Sequence, residues 1–269
     1  MYLDFYGLSE PPFNITPDPR FLFFSSSHRE AYDHLLYGIE TRRGFIQLTG
    51  EVGSGKTTLC RAALADLPSN TRTALILNPA MTETQLLRAI LQDFGLVPRS
   101  RDRLSQINQL NAFLLEQLAT GNNVALIIDE AQDLAPTVLE QIRLLNNLET
   151  DQHKLMQIVL VGQPELERKL ASPDLRQLRQ RVIVRAHLGP LTEEETASYI
   201  AHRLRVSGAD SRVVFERRAI RLVHRYSGGI PRLINTIADH AMLAGFVNRS
   251  LLVGLREVKR SLQHLELVR

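Results

Sequence analysis

FIQLTGEVGSGKTT, Phe45 to Thr58, decides how the rest of the chain is read. Phe45 to Thr49 is an apolar-weighted run containing β-branched residues. Gly44 and Gly50 bound it, as expected of a short buried strand. Gly50-Glu51-Val52-Gly53-Ser54-Gly55-Lys56-Thr57 then matches the pattern G-x-x-x-x-G-K-[ST] in full. Glycines suit this loop because a backbone without Cβ atoms can curl until successive N–H groups point at one anion. Helix-forming sequence from Thr57 to Leu67 puts the loop at a helix N-terminus, whose partial positive charge favours phosphate. Gly50 through Thr58 is therefore expected to cradle a nucleoside triphosphate. Lys56 would reach the β- and γ-phosphates, and the Thr57 hydroxyl would ligate Mg²⁺.

Working outward, strands and helices alternate. Thr73 to Leu77 reads as a second strand. Thr82 to Phe94 reads as a helix opened by a capping box (Thr82, Gln85) and closed by Gly95. Leu104 to Leu118 has apolar residues at helical spacing, and Asn123 to Ile128 (NVALII) reads as a buried third strand. That strand ends in Asp129-Glu130, 73 residues after Lys56, the place where ligands bind in open α/β sheets. Asp129 would hold Mg²⁺, and Glu130 would orient and polarise the attacking water. Pro136 to Leu148 reads as a helix and Gln157 to Val161 as a fourth strand. Gln163, just past that strand, is placed to sense the γ-phosphate or hold the water. Arg176, Arg179 and Arg181 precede a fifth strand, Val182 to Ala186. Alternation of this kind implies a parallel sheet covered on both faces.

Gly189-Pro190 breaks the chain, and the strand signals fade beyond it. The expected division is an α/β domain over 1–189 and a helical domain over 190–269. The second would hold helices from Thr192 (capping box with Glu195), Phe215 to Tyr226, Pro231 to about Phe246, and Leu255 to Leu265. Residues 1–27 are dense in proline and aromatics, which predicts an extended arm without helix or strand. The arm is either a cover for the adenine, with Phe13, Ile15 and Pro17 near the base, or plain packing of an extension.

Net charge is +3, but Arg176 to Arg269 carries 16 arginines, one lysine and eight acidic residues, a local +9 against −6 before it. That asymmetry fits nucleic acid or an anionic membrane surface, and equally fits arginines facing phosphates across a subunit interface. The lone cysteine, Cys60, excludes an intrachain disulfide and fits a reducing cytoplasm. No run approaches the ~18 apolar residues of a membrane span, and the N-terminus does not read as a signal peptide.

Taken in order, these motifs resemble those of AAA+ ATPases, a P-loop fold with a five-stranded parallel sheet and a small all-helical lid. A closer resemblance is to the secretion-associated ExeA/GspA-type ATPases and their short relatives in pilus and exopolysaccharide clusters. It rests on MYLDFYGLSEPPFNITPDPRFLF, SSSHREAYDHLLYGI, TGEVGSGKTTLCR, LIIDEAQDL and VLVGQPEL…LRQR, over residues 1 to about 235. The resemblance implies a cytoplasmic ATPase using ATP and Mg²⁺, able to sit peripherally at the inner membrane. It implies self-association into a ring, a hexamer favoured, that assembles or positions an export complex through an inner-membrane partner. It further implies that Arg232, in GGIPR, is the sensor-2 arginine, and that the arginine finger is Arg179 or Arg181. Transposition ATPases of the TniB/TnsC kind share much of the motif order and keep DNA open as an alternative partner. Gln163 stands where many AAA+ proteins have Asn.

Overall fold

The structure is a computed structural model that describes residues 2–77, 80–150, 154–209 and 212–267. The arm comes first, with α1 (Tyr2–Tyr6) and a 3-10 turn at Pro19–Phe21, and leads into the long α2 (Ser26–Glu40). Next are β1 (Phe45–Gly50), α3 (Lys56–Asp66), β2 (Thr71–Ile76), α4 (Glu83–Asp93), α5 (Arg103–Ala119) and β3 (Asn123–Ile128). α6 (Pro136–Leu145), β4 (Gln157–Gly162), α7 (Pro164–Leu170), α8 (Arg176–Arg181) and β5 (Val182–Leu188) complete the alternating part. The rest holds α9 (Glu193–Val206), β6 (Val214–Phe215), α10 (Arg217–Ser227), α11 (Pro231–Val247), β7 (Leu252–Val253) and α12 (Leu255–His264).

The chain forms two compact units. One contains Arg29–Gly50 and Leu59–Leu188; the other gathers residues up to His28, Glu51–Thr58 and those from Gly189 onward. A single cut near Pro190, with the arm on the α/β side, is thus not how the contacts fall.

In the first unit five parallel strands lie in the order β2-β3-β4-β1-β5. β1, β3 and β4 are buried at every position, which their near-continuous apolar sequence requires. Phe45, Leu126 and Leu160 belong to one core with Leu87 and Ile90 of α4, Leu110 of α5 and Ile142 of α6. α2 packs so closely on β1 that a Cβ at Gly38 would sit 2.6 Å from Ile46 Cδ1. β5, at the sheet edge, alternates buried and exposed residues and leaves Ile183, Arg185 and His187 outward. Because all strands run the same way, the loops after β1, β3 and β4 leave from one edge of the sheet, with β4 between the other two.

In the second unit α9 to α12 enclose Ile200, Val223, Ile234, Ala238, Met242, Val258 and Leu262. The arm belongs to this core. Tyr6 is fully buried and its hydroxyl donates to Met242 O (2.8 Å) and Ser250 O (3.2 Å). α11 accommodates it with Gly245, where a Cβ would lie 2.5 Å from the Tyr6 hydroxyl. Phe13 packs edge-on against Phe215, and buried Arg203 donates to Pro12 O and Asn14 O while its guanidinium lies 4.4 Å from the Phe21 ring centroid. The helical expectation beyond Pro190 holds, with one addition. β6 and β7 pair in parallel, taking Phe215 into a strand and delaying α10 to Arg217. The expectation that residues 1–27 lack helix is overturned by α1, whose five residues contain no proline. In the GGIPR turn, Gly229 has φ +76°, and a Cβ there would lie 2.2 Å from Leu191 O, so only glycine fits.

Candidate nucleotide site

The loop after β1 has the curl its glycines permit: Gly53 and Gly55 adopt φ of +80° and +102°. Ser54 N–H donates back to Glu51 O (3.1 Å), and α3 begins at Lys56, so its first-turn amides open onto the loop. Lys56 is buried and its ammonium donates to Glu51 O at 2.9 Å. The Ser54 hydroxyl is buried without a hydrogen-bond partner. Gly50 closes β1, Glu51 and Val52 are exposed, and Thr57 and Thr58 are half-buried in the first turn of α3. An orphaned buried hydroxyl in a loop of left-handed glycines at a helix N-terminus fits a phosphate group. Here Thr57 would ligate Mg²⁺ beside the phosphates.

Arg232 meets this loop. Its N–H donates to Gly53 O at 3.2 Å, and a Cβ at Gly53 would sit 2.4 Å from the Arg232 Cβ. The close approach of the GGIPR turn thus requires glycine at 53 on steric grounds as well as conformational ones. His28 is also at the loop: its Nε2 lies 3.0 Å from Ser54 O. Burial pushes the His28 imidazole below its ordinary pKa, so it is neutral.

At the end of β3, Asp129 is buried, accepts from Glu130 N–H at 2.9 Å and donates its own N–H to Ile76 O. Glu130 has φ +51°, ψ +38°. A non-glycine residue in that region costs about 1–2 kcal/mol, a strain that concentrates where a side chain must be aimed. Its Oε2 accepts from Gln163 Nε2 (3.2 Å) and from Gln132 Nε2 (2.8 Å). Gln132 Oε1 in turn accepts from Gln163 N–H at 3.0 Å, and Gly162 leaves the room for it, since a Cβ there would be 2.8 Å away. Lys169 of α7 clamps the same turn through Gln132 O and Leu134 O. Glu130 and Gln163 are therefore in contact, and Gln132 is a third member that sequence reasoning missed. Its signal was its place in LIIDEAQDL, two residues after the acidic pair.

The two finger candidates differ. Arg181 donates to Arg143 O (3.2 Å) and to Asn147 Oδ1, tying itself to the end of α6. Arg179 is exposed and, with Arg168, Arg185 and Glu167, lines a surface cavity of about 390 Å³. Arg176 is exposed on α8. Ile15 is 63% exposed, while Phe13 two residues earlier is committed to the core around α10 and α11. Phe13 is thus turned into that core, whereas the Ile15 side chain is open to solvent.

The AAA domain family matches residues 39–170. General secretion pathway protein A of Aeromonas hydrophila is 49% identical over 252 residues, which cover 93% of this chain and 46% of that protein. The chain thus spans about half the length of this curated relative. Among solved structures, the Aeropyrum pernix ORC2 protein in ADPNP–ADP complexes superposes with a TM-score of 0.71 at 15% identity, covering 95% of this chain and 71% of its own. Cdc6p from Pyrobaculum aerophilum gives 0.72 at 17%, with 94% and 70% covered. The Thermotoga maritima RuvB Holliday junction branch migration motor gives 0.59 at 20%, with 90% and 70% covered. At these identities the three structures speak for the fold. Motif order, parallel sheet, helical region and the 49% relative agree: residues 39–170 belong to the AAA domain family, and the chain is similar to the ExeA/GspA type of AAA+ ATPase.

Proposed function

We propose that this protein is a Mg²⁺-dependent ATPase that works as an oligomer to assemble or position a cell-envelope export complex. The observation that carries hydrolysis is the aimed carboxylate. Glu130 is held in a strained backbone state by Gln132 and Gln163, at the sheet edge from which the phosphate loop also leaves. Glu130 takes the proton of the attacking water, and the Gln163 amide keeps the carboxylate in place. The loop amides, Lys56 and Arg232 bind the phosphate tail, while Thr57 and Asp129 hold the metal. Mg²⁺, when bound, neutralises phosphate charge and favours departure of the leaving group.

The finger is Arg179 rather than Arg181, because Arg181 is already engaged within its own chain. A cation reaching a neighbour's site stabilises charge that spreads over γ-phosphate oxygens, and makes turnover depend on assembly. Arg179→Ala is expected to lower turnover about 10³-fold, the lower end of the ~10³–10⁵ known for such fingers elsewhere. Mixed with Glu130→Gln subunits, it should recover measurable activity, since some sites then combine an intact base with an intact finger. No recovery at any mixing ratio, or a larger loss from Arg181→Ala, would count against this assignment. The export role draws on the likeness to General secretion pathway protein A. No helix among the described residues is long and apolar enough to cross a membrane.

A DNA-binding regulator is the second reading, favoured by one surface. Arg217, Arg218, Arg221 and Arg225 form one exposed stripe of α10, and Arg256, Lys259 and Arg260 another on α12. If this surface bound duplex DNA, DNA would stimulate hydrolysis, and affinity would fall steeply with salt in proportion to the phosphates neutralised. For the export ATPase, turnover is expected to stay within about twofold on adding DNA, a change well below the salt-dependent tightening that phosphate contacts produce.

A further inference from the structure

The segment just before the long helix α2 reaches the back of the phosphate loop. Ser25 and His28 are both 3% exposed. Ser25 Oγ caps the first turn of α2 by accepting from His28 N–H (3.3 Å), and lies 2.6 Å from His28 Nδ1. Ser54 O, on the other side of the ring, can only accept, so the neutral imidazole carries its proton on Nε2 and leaves Nδ1 to accept from the Ser25 hydroxyl. Nε2 is 3.0 Å from Ser54 O, so it donates to that carbonyl.

A trans peptide unit points its C=O and its N–H in opposite directions, and no cis bond occurs among the described residues. The carbonyl of Ser54 and the amide of Gly55 share one such unit. Drawing the carbonyl towards His28 turns the Gly55 N–H the other way, into the concavity where the loop's glycines gather amides. The neighbourhood is tight: Gly55 has φ +102°, and a Cβ there would lie 3.2 Å from His28 Nε2. The segment is also fixed at its next residue. Ser26 N–H and Oγ both donate to Glu195 Oε1 (3.0 and 3.1 Å), while Glu195 Oε2 accepts from Thr192 N–H in the capping box of α9.

From this geometry we infer that His28, oriented by Ser25, is a positioning residue that aims the Gly55 amide at the phosphate group of the bound nucleotide. It touches no substrate itself and acts through one peptide plane. The inference rests on reading the loop as a nucleotide site, and two independent measurements separate the two claims.

The first measurement is amide hydrogen exchange of the peptide spanning Glu51–Thr58 without nucleotide; the second is ADP affinity by calorimetry. His28→Leu keeps the volume and loses the donor. It is expected to speed exchange in that peptide and to weaken ADP binding about tenfold, the loss of one hydrogen bond to a charged ligand's cradle. His28→Gln, whose side-chain amide can donate to Ser54 O, should restore both values to within about threefold of wild type. Ser25→Ala leaves the imidazole in place without its orienting partner and should fall between them. Wild-type exchange and wild-type affinity in His28→Leu would overturn the inference. So would a His28→Gln protein as impaired as His28→Leu, because mere filling of space would then explain both. Should the wild type itself bind no ADP, the nucleotide reading fails, and the exchange measurement alone still decides whether His28 orders the loop.

Discussion

Glu130→Gln is expected to lower ATP turnover by about 10²–10³-fold while leaving ATP affinity within about threefold of wild type, the range for loss of a general base. The change removes a charge and a proton acceptor but keeps the shape. Gln132 and Gln163 lie 2.8 and 3.2 Å from Oε2, and a carboxamide oxygen in that place still accepts from them. The left-handed backbone at residue 130 should therefore survive, and with it the aim of the side chain. Single-turnover kinetics with a phosphate sensor give the rate, and binding of a slowly hydrolysed analogue gives the affinity. Turnover within threefold of wild type would remove Glu130 from the base role. Loss of binding together with turnover would mean that the turn after β3 had collapsed, a result that Gln163→Ala should then reproduce.

Removing the ammonium of Lys56 should have the larger effect on binding. Lys56 is 5% exposed and held by Glu51 O, so its charge is already confined to the loop where phosphates would lie. For the wild type, a ligand at 100 times its dissociation constant stabilises the folded state by about 2.7 kcal/mol. For a chain of this size that raises the midpoint of thermal unfolding by about 5–10 °C. Lys56→Ala is expected to show less than about 1 °C of such a rise at the same ADP concentration, the mark of lost linkage. The ligand-free midpoint supplies the control, since the truncation also opens a small cavity. An undiminished rise in the variant would place the nucleotide elsewhere.

Much of the α/β unit was legible because its signals are local. β3 begins and ends at Asn123 and Ile128 as the NVALII run requires, and both capping boxes, Thr82 with Gln85 and Thr192 with Glu195, form as spelled. Glycine loops and an acidic pair after an apolar strand are likewise short-range patterns. What stayed hidden depends on partners far along the chain. α1 lies in a segment whose prolines suggested extension, yet Tyr2 to Tyr6 form a helix because Tyr6 finds Met242 and Ser250. The β6–β7 ladder is two residues per strand, too short for any alternation to register, and depends on pairing Val214 with Leu252. At the site, Gln132 and His28 lie within segments that carry the family resemblance, but nothing local in the sequence assigns either a role. Their places are set by Gly162, which clears space for one, and by Ser54, which accepts from the other.

The burial of Tyr6 against α11 bears on how the molecule is made. Tyr6 and Met242 are 236 positions apart, and at roughly 5–20 residues per second the ribosome needs on the order of 10–50 s to travel between them. For that interval Tyr6, Leu8 and Phe13 have no hydrophobic shelter of their own, although the parallel sheet can already have closed. These residues thus leave the ribosome well before the helix that seats Tyr6, a delay during which a holding chaperone, or aggregation, has its opportunity.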